Sequence, residues 1–91
     1  MEVSDIKIRR TYDHGRLRAI VSITVGGDLA VHDIKIIEGQ SGLFIAMPSK
    51  KMPNGEYKDV AHPLNSQARE KIQAEILAAY ENLPEEVGSF E

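Results

Sequence analysis

The fold of this chain is decided by residues 42–66, which read GLFIAMPSKKMPNGEYKDVAHPLNS. The uninterrupted apolar run 43–47 predicts a strand that is covered on both faces. Pro48 ends that strand, because proline has no backbone N–H to give to a neighbouring strand. The Pro-Asn-Gly triplet at 53–55 predicts a turn, since proline presets φ and glycine accepts the positive φ that many hairpins need. A return strand over 57–61 completes a predicted β-hairpin.

Three further strands precede this stretch and one long helix follows it. Apolar and polar residues alternate, although less cleanly towards the end, over 3–10, 17–25 and 29–37. Asn65 or Ser66 is a natural helix N-cap, because either side chain can accept a hydrogen bond from the first turn. The sequence predicts an α+β fold, an antiparallel β-sheet of about five strands with one long C-terminal α-helix packed on it. The apolar face of that helix recurs at 3-to-4 spacing and comprises Ala68, Ile72, Ile76, Ala79, Tyr80 and Leu83.

The length of the chain suits one domain. We expect that domain to span residues 1–84, with Pro84 ending the helix and a short acidic tail, 85–91, fraying beyond it. A chain of 91 residues buries only about 60–65% of its unfolded surface when it folds alone. An oligomer, and most simply a homodimer, is therefore expected.

Composition excludes several classes of function. The sequence has no cysteine, so it forms no disulfide, no zinc–thiolate site and no thiol nucleophile. No apolar run approaches the ~20 residues of a membrane span and no signal peptide is recognisable, so we expect a cytoplasmic protein without a membrane partner. The net charge of −3 is uneven: eleven basic residues face nine acidic ones up to Lys71, and five glutamates follow without a basic residue. A local basic patch remains compatible with nucleic-acid binding.

Four basic residues flank the hairpin and the start of the helix. Lys50 and Lys51 precede the turn, where an exposed side chain can reach a phosphate. Arg69 and Lys71 lie in the first turns of the helix, whose N–H groups and dipole also favour anions. If the hairpin leads directly back to the helix, the two pairs share one surface. The plainer interpretation is that these side chains only keep the protein in solution, and Glu70 weakens any such patch.

A second basic face is expected on the first hairpin. If strands 3–10 and 17–25 pair with their apolar faces matched, the partner numbers sum to an odd value near 27 and Arg9 faces Arg18. Like charges opposite one another destabilise a sheet, so this face either binds an anion or is covered by an acidic partner. An ordinary solvated face is the alternative. The basic residues of this face are Lys7, Arg9, Arg16 and Arg18.

The remaining polar residues do not form a catalytic or metal-binding pattern. The three histidines match no metal-ligand spacing, and we expect His62 to be structural. No nucleophile elbow or phosphate loop is present, so the chain is not expected to be an enzyme or to use a cofactor. With Phe44 and Tyr80 assigned to the core, too few aromatic rings remain for a stacking platform. Any nucleic-acid contact would therefore be mainly to phosphates.

The sequence resembles the SpoVG family of small bacterial regulators, also called septation proteins, over roughly residues 1–80. The segments that carry the resemblance occur in the family's order: MEVSDIKIRR (1–10), LRAIVSIT (17–24), VHDIKII (31–37), GLFIAMPS (42–49), AHPLNS (61–66) and REKIQ (69–73). The resemblance implies a site-specific DNA- and RNA-binding regulator linked to sporulation and septation. It also assigns the basic positions to Lys50, Lys51, Arg69 and Lys71. Family members often carry arginine at the second position, and Lys51 lacks the bidentate fork that reads guanine well.

Two functions remain open at this point. In the first, a homodimer presents two copies of the basic patch to DNA or RNA. In the second, the sheet edge and the helix bind protein partners, and regulation is indirect.

Overall fold

A computed structural model describes residues 1–83 and confirms the α+β fold class. The predicted tail, 85–91, and Pro84 lie outside the described residues. The helix ends at Glu81, with Asn82 as its C-cap. In chain order the elements are β1 (Val3–Thr11), β2 (Leu17–Val25), β3 (Leu29–Gly39), β4 (Gly42–Ala46), β5 (Ser49–Lys51), β6 (Tyr57–Asp59) and α1 (Ser66–Glu81).

The strands form two antiparallel sheets rather than one. Strands β1 to β4 pair in sequence order, and β5 pairs with β6 in a separate two-stranded sheet. Pro48 stands between β4 and β5, where it cannot donate to a ladder, and the chain leaves the main sheet there. The predicted return strand is shorter than expected and contributes to the small sheet alone.

The core lies between the main sheet and α1. Two helix residues, Ile72 and Ile76, are buried against residues of β2, β3 and the β4 region. The remaining buried apolar residues are Ala19, Val21, Ile23, Ile34, Ile36, Ile45 and Met47. The helix face was predicted correctly at its two central isoleucines, and Tyr80 packs partly buried at the edge of this core.

The prediction that 43–47 is covered on both faces is wrong. Ile45 and Met47 are buried, whereas Phe44 beside them is 36% exposed. Side chains alternate between the two faces of a strand: Ile45 and Met47 face the core that contains Ile72 and Ile76, and Phe44 lies on the other face. The ring of Phe44 lies over Gly39 instead: a Cβ placed on that glycine would come within 2.9 Å of Cε1 of the ring.

A bulge in β3 sets the orientation of its first half. Val21 pairs with Ile34 and Ile23 pairs with Val31, so His32 and Asp33 together lie opposite the single residue Ser22. Asp33 adopts φ of 65°, a left-handed conformation that aspartate tolerates better than most residues.

The helix is fixed at its start and along the edge of β4. The Oδ1 of Asn65 accepts a hydrogen bond of 2.8 Å from the backbone N–H of Ala68, which confirms the predicted cap. The backbone N–H of Ile45 donates to Oε1 of Gln73 at 3.0 Å, and its carbonyl accepts from Nη2 of Arg69 at 2.6 Å. Helix side chains thereby satisfy backbone groups that an open strand edge would expose.

Candidate nucleic-acid interface

The turn between β5 and β6 has the conformation that its sequence predicts. The backbone N–H of Met52 donates to the carbonyl of Glu56 at 2.7 Å, and that of Gly55 donates to the carbonyl of Met52 at 2.9 Å. The Oδ1 of Asn54 accepts from the backbone N–H of Glu56 at 3.0 Å. Gly55 has φ of 90°, which only glycine adopts at little cost. These hydrogen bonds hold the turn in one conformation, so the side chains of β5 and β6 project from a well-defined backbone.

The register of the β5–β6 hairpin adds a third lysine, Lys58, to the candidate site. Lys50 pairs with Lys58, and Lys51 pairs with Tyr57. Because side chains alternate along a strand, Lys50 and Lys58 project from one face and Lys51 projects from the other. Within residues 1–83 none of these three lysines forms an ion pair or side-chain hydrogen bond.

Sequence reasoning missed Lys58. Its signal was present, because Lys50 and Lys58 are equally distant from Asn54 at the centre of the turn. Directly opposed like charges are unfavourable in an antiparallel pair. An anion placed between them would remove that repulsion.

One aromatic ring also belongs to this hairpin. Tyr57 is 67% exposed and lies across the ladder from Lys51. A base could stack on this ring, although a single ring supplies far less than a stacking platform.

The two helix cations have partners within the chain. Arg69 is half-buried and donates to the Ile45 carbonyl, so part of its guanidinium is engaged in fixing the helix. The Nζ of Lys71 lies 2.9 Å from Oε2 of Glu75. The hydrogen bond and charge of that carboxylate raise the pKa of Lys71 above its ordinary value of 10.5. In the described part of the chain, no hydrogen bond or ion pair joins this helix pair to Lys50 and Lys51.

The predicted pairing of Arg9 with Arg18 is wrong. The basic residues of the second face lie in two groups, Lys7 with Arg9 and Arg16 with Arg18. Register shifts between Ile8 and Arg10, which leaves Arg9 in a bulge. Arg18 lies instead beside Tyr12, whose backbone N–H donates to the Arg18 carbonyl at 2.9 Å. In the regular stretch before this bulge the partner numbers sum to 29, an odd value as predicted but two more than a pair of Arg9 and Arg18 requires. Alternation of apolar residues fixes neither this shift nor the bulge, because it assumes a regular ladder.

Each group has different neighbours. Arg16 donates from Nε to the Glu38 carbonyl at 3.2 Å, and Arg18 donates from Nη1 to the Gly15 carbonyl at 3.2 Å. Lys7 and Arg9 line a separate cleft on β1 to β3.

The histidines occupy three unrelated positions. His62 is exposed, and its Nδ1 lies 2.9 Å from the carbonyl oxygen of Pro63. His14 lies 3.3 Å from Asp13 at the surface, and His32 contacts Ser22. Among residues 1–83, no group of three or more potential ligands is arranged to hold a metal ion. No helix in the same range is long and apolar enough to cross a membrane.

These features define a small α+β protein with a four-stranded antiparallel sheet, one packed helix and a separate lysine-bearing hairpin. The SpoVG family model matches residues 1–82, and the chain belongs to that family. The identification made from sequence motifs is confirmed.

Curated relatives match almost the whole chain. A protein of Clostridium beijerinckii is 58% identical over 81 residues, covering 89% of each chain. One of Clostridium acetobutylicum is 56% identical over 86 residues, covering 94% of this chain and 90% of the relative. One of a Thermoanaerobacter species is 52% identical over 86 residues, covering 94% of both. Each of the three bears the name "Putative septation protein SpoVG".

Proposed function

We propose that this protein is a cytoplasmic bacterial regulator that binds DNA or RNA and modulates gene expression linked to septation or sporulation. The septation link is supported by the names of its relatives. The nucleic-acid site comprises the hairpin lysines Lys50, Lys51 and Lys58 together with Arg69 and Lys71 at the start of α1. The observation that carries the proposal is the opposed pair Lys50 and Lys58, which has no carboxylate partner within the described residues.

Phosphate contacts supply most of the binding in this proposal. Lys50 and Lys58 hold one phosphate on one face of the hairpin, and Lys51 reaches another from the opposite face. Lysine is a point charge without the planar fork of arginine, so these contacts position the nucleic acid without strong base reading. Tyr57 adds one ring on which a base can stack. The proposal involves no catalytic step and no cofactor.

The helix cations contribute less than the hairpin lysines. Glu75 already neutralises Lys71 locally, and Arg69 retains only those N–H groups that the Ile45 carbonyl does not use. The start of the helix then serves as a secondary contact beside the principal one.

A homodimer presents two copies of this site. A cleft of about 520 Å³ between β3 and the hairpin is lined mostly by apolar residues, among them the well exposed Leu29 and Val60, and also by His32, Asp33, Lys35 and Ser49. Leu64 nearby in sequence is 89% exposed. Apolar surface of this kind favours association. Light scattering should give twice the mass of one chain, and a monomer at the concentrations used for binding would contradict the dimer.

Salt dependence tests the phosphate-led mechanism. A dimer that makes six to eight phosphate contacts gives a log–log slope of affinity against salt of about −5 to −7 on duplex DNA. The measurement is fluorescence anisotropy of labelled DNA and RNA over a series of salt concentrations. A slope near zero would refute binding led by phosphates.

The exposed apolar residues also favour a second candidate function, a protein-interaction module that regulates division or sporulation indirectly. The net charge of −3 fits this function as well. The two candidates differ in whether the purified protein retards nucleic acid at about 50–100 mM salt, where phosphate contacts are strong. Absence of retardation there would favour protein partners.

A further inference from the structure

A polar cleft lies on the face of the main sheet opposite the helix, across β1, β2 and β3. Its volume is about 180 Å³. Charged and hydroxyl-bearing side chains line it, and we name it the β1–β3 polar cleft after the residues Asp5, Lys7, Arg9, Ser22, Thr24 and His32. Neither Lys50 nor Lys51 lines this cleft, so its donors are different from the hairpin lysines.

A buried hydroxyl organises the cleft. Ser22 is only 6% exposed, and its Oγ accepts a hydrogen bond of 3.2 Å from Nε of Arg9. The same Oγ lies 2.8 Å from Nδ1 of His32. The bulge that places His32 and Asp33 opposite Ser22 brings the imidazole to this hydroxyl. A basic side chain from β1 and one from β3 are thus held together by a buried serine of β2.

Strong donors remain available at the mouth of the cleft. Nε of Arg9 is engaged by Ser22, but within residues 1–83 its two terminal nitrogens have no hydrogen-bond partner. Lys7 likewise forms no ion pair in that range, although Asp5 lines the same cleft. Cationic donors that converge without a carboxylate partner are the usual means of binding a phosphate or sulfate group.

We propose that the β1–β3 polar cleft binds a phosphate group, with Lys7, the terminal nitrogens of Arg9 and His32 as its donors. The phosphate comes either from a nucleic-acid backbone or from a small phosphorylated ligand. Arg16 and Arg18 do not belong to this site, because each donates to a backbone carbonyl at the other end of the strand pair.

The test is an NMR titration of the full chain with sulfate, followed by inorganic phosphate. Backbone signals of Lys7, Arg9, Ser22 and His32 should move together. His32→Ala removes one of the proposed donors and should weaken sulfate binding.

Matched variants locate the site. Lys7→Gln/Arg9→Gln should weaken sulfate binding at least about tenfold. Arg16→Gln/Arg18→Gln removes the same charge and should leave it unchanged. Both pairs are solvent-facing at their charged ends, and well-dispersed spectra will show that each variant is folded. Equal loss in both variants, or signals that move elsewhere in the chain, would overturn the proposal, since an adventitious ion only would behave so.

A short oligonucleotide then identifies the source of the phosphate. If it moves the cleft signals and competes with sulfate, the site takes a nucleic-acid backbone. If it moves only hairpin signals while inorganic phosphate still moves the cleft, the site takes a small phosphorylated ligand. Absence of cleft shifts with sulfate, phosphate and oligonucleotide alike would contradict the site altogether.

Discussion

Arg69 illustrates how one cationic side chain can be structural where its sequence position favours ligand binding. Its Nη2 donates to the Ile45 carbonyl at 2.6 Å, on the side of β4 that has no neighbouring strand. The first turn of a helix generally attracts anions, and for that reason the sequence predicts a phosphate contact for Arg69. In the structure the guanidinium group donates to the Ile45 carbonyl at the edge of β4 instead.

Removing this side chain should therefore reduce stability before it affects binding. Arg69→Ala leaves the Ile45 carbonyl without its donor, and we expect the free energy of unfolding to fall by about 1–3 kcal/mol. Urea unfolding followed by circular dichroism measures the change. Lys71→Ala also removes one positive charge from the same helix and should cost much less. Equal stability of the two variants would show that the contact with Ile45 contributes nothing.

At the scale of elements, the β5–β6 hairpin is the least supported part of the fold. Two-stranded sheets are marginal in water, and this one carries opposed lysines at its centre. Its order depends on the turn, in which Gly55 adopts φ of 90° with open space around it. The positions of the hairpin lysines therefore depend on the backbone conformation of Gly55.

Gly55→Ala should loosen the hairpin without changing its charge. A side chain in a left-handed conformation costs roughly 1–2 kcal/mol, so nucleic-acid affinity should fall several-fold, by up to about tenfold. Gly15→Ala is the matched control, because Gly15 has φ of 78° and equally open space but lies in the β1–β2 turn. Hydrogen exchange and anisotropy together check the prediction. Loss of affinity in the Gly15 variant alone would contradict it.

One substitution in the helix should strengthen nucleic-acid binding. Glu75→Gln removes the carboxylate beside Lys71, so the ammonium group becomes available to a phosphate and affinity should rise by about twofold. Glu70→Gln changes the net charge equally but removes no ion pair of the described residues. Anisotropy titrations of both variants in the same buffer make the comparison, and equal gains would exclude a specific role for Lys71.

The pH dependence of this effect follows from the pKa of Lys71. Glu75 raises that pKa above 10.5, so the stabilisation from the pair is fully present below pH 10.5 and is lost as the pH rises through the higher folded-state value. The gain in affinity should therefore be the same at about pH 6 and about pH 8, well below that window. A gain that disappears at the lower pH would assign the effect to another group.

At the scale of the whole molecule, the elements were predictable where patterning was regular. Alternation identified β1 to β3, the Pro-Asn-Gly triplet identified the hairpin turn, and the 3-to-4 spacing identified the buried face of α1. Registers were not predictable, because alternation fixes which residues share a face but not which partners meet. Partner numbers of β1 and β2 sum to 29 over 5–8, before the bulge, and to 30 after it, so Arg9 and Arg18, whose numbers sum to 27, do not pair. Arg9 and His32 meet at Ser22 instead.

The candidate site was predictable only in part for the same reason. Lys50 and Lys51 could be chosen from their place beside a turn, but Lys58 required the register of the hairpin. Phe44 was misplaced because an apolar run does not reveal whether one face or both faces of its strand are covered. Contacts between segments that are distant in the sequence decide both questions.

The central claim is that the hairpin lysines bind nucleic acid, and one measurement tests it most directly. Labelled DNA and RNA are titrated by fluorescence anisotropy with the wild type, Lys50→Glu/Lys51→Glu and the control Arg16→Glu/Arg18→Glu. The hairpin variant should remain folded, because Lys50→Glu puts a carboxylate opposite Lys58 and replaces a repulsive pair by an attractive one. We expect it to lose at least about tenfold in affinity while the control stays close to the wild type. Equal binding by all three proteins, or no binding by the wild type, would contradict the claim.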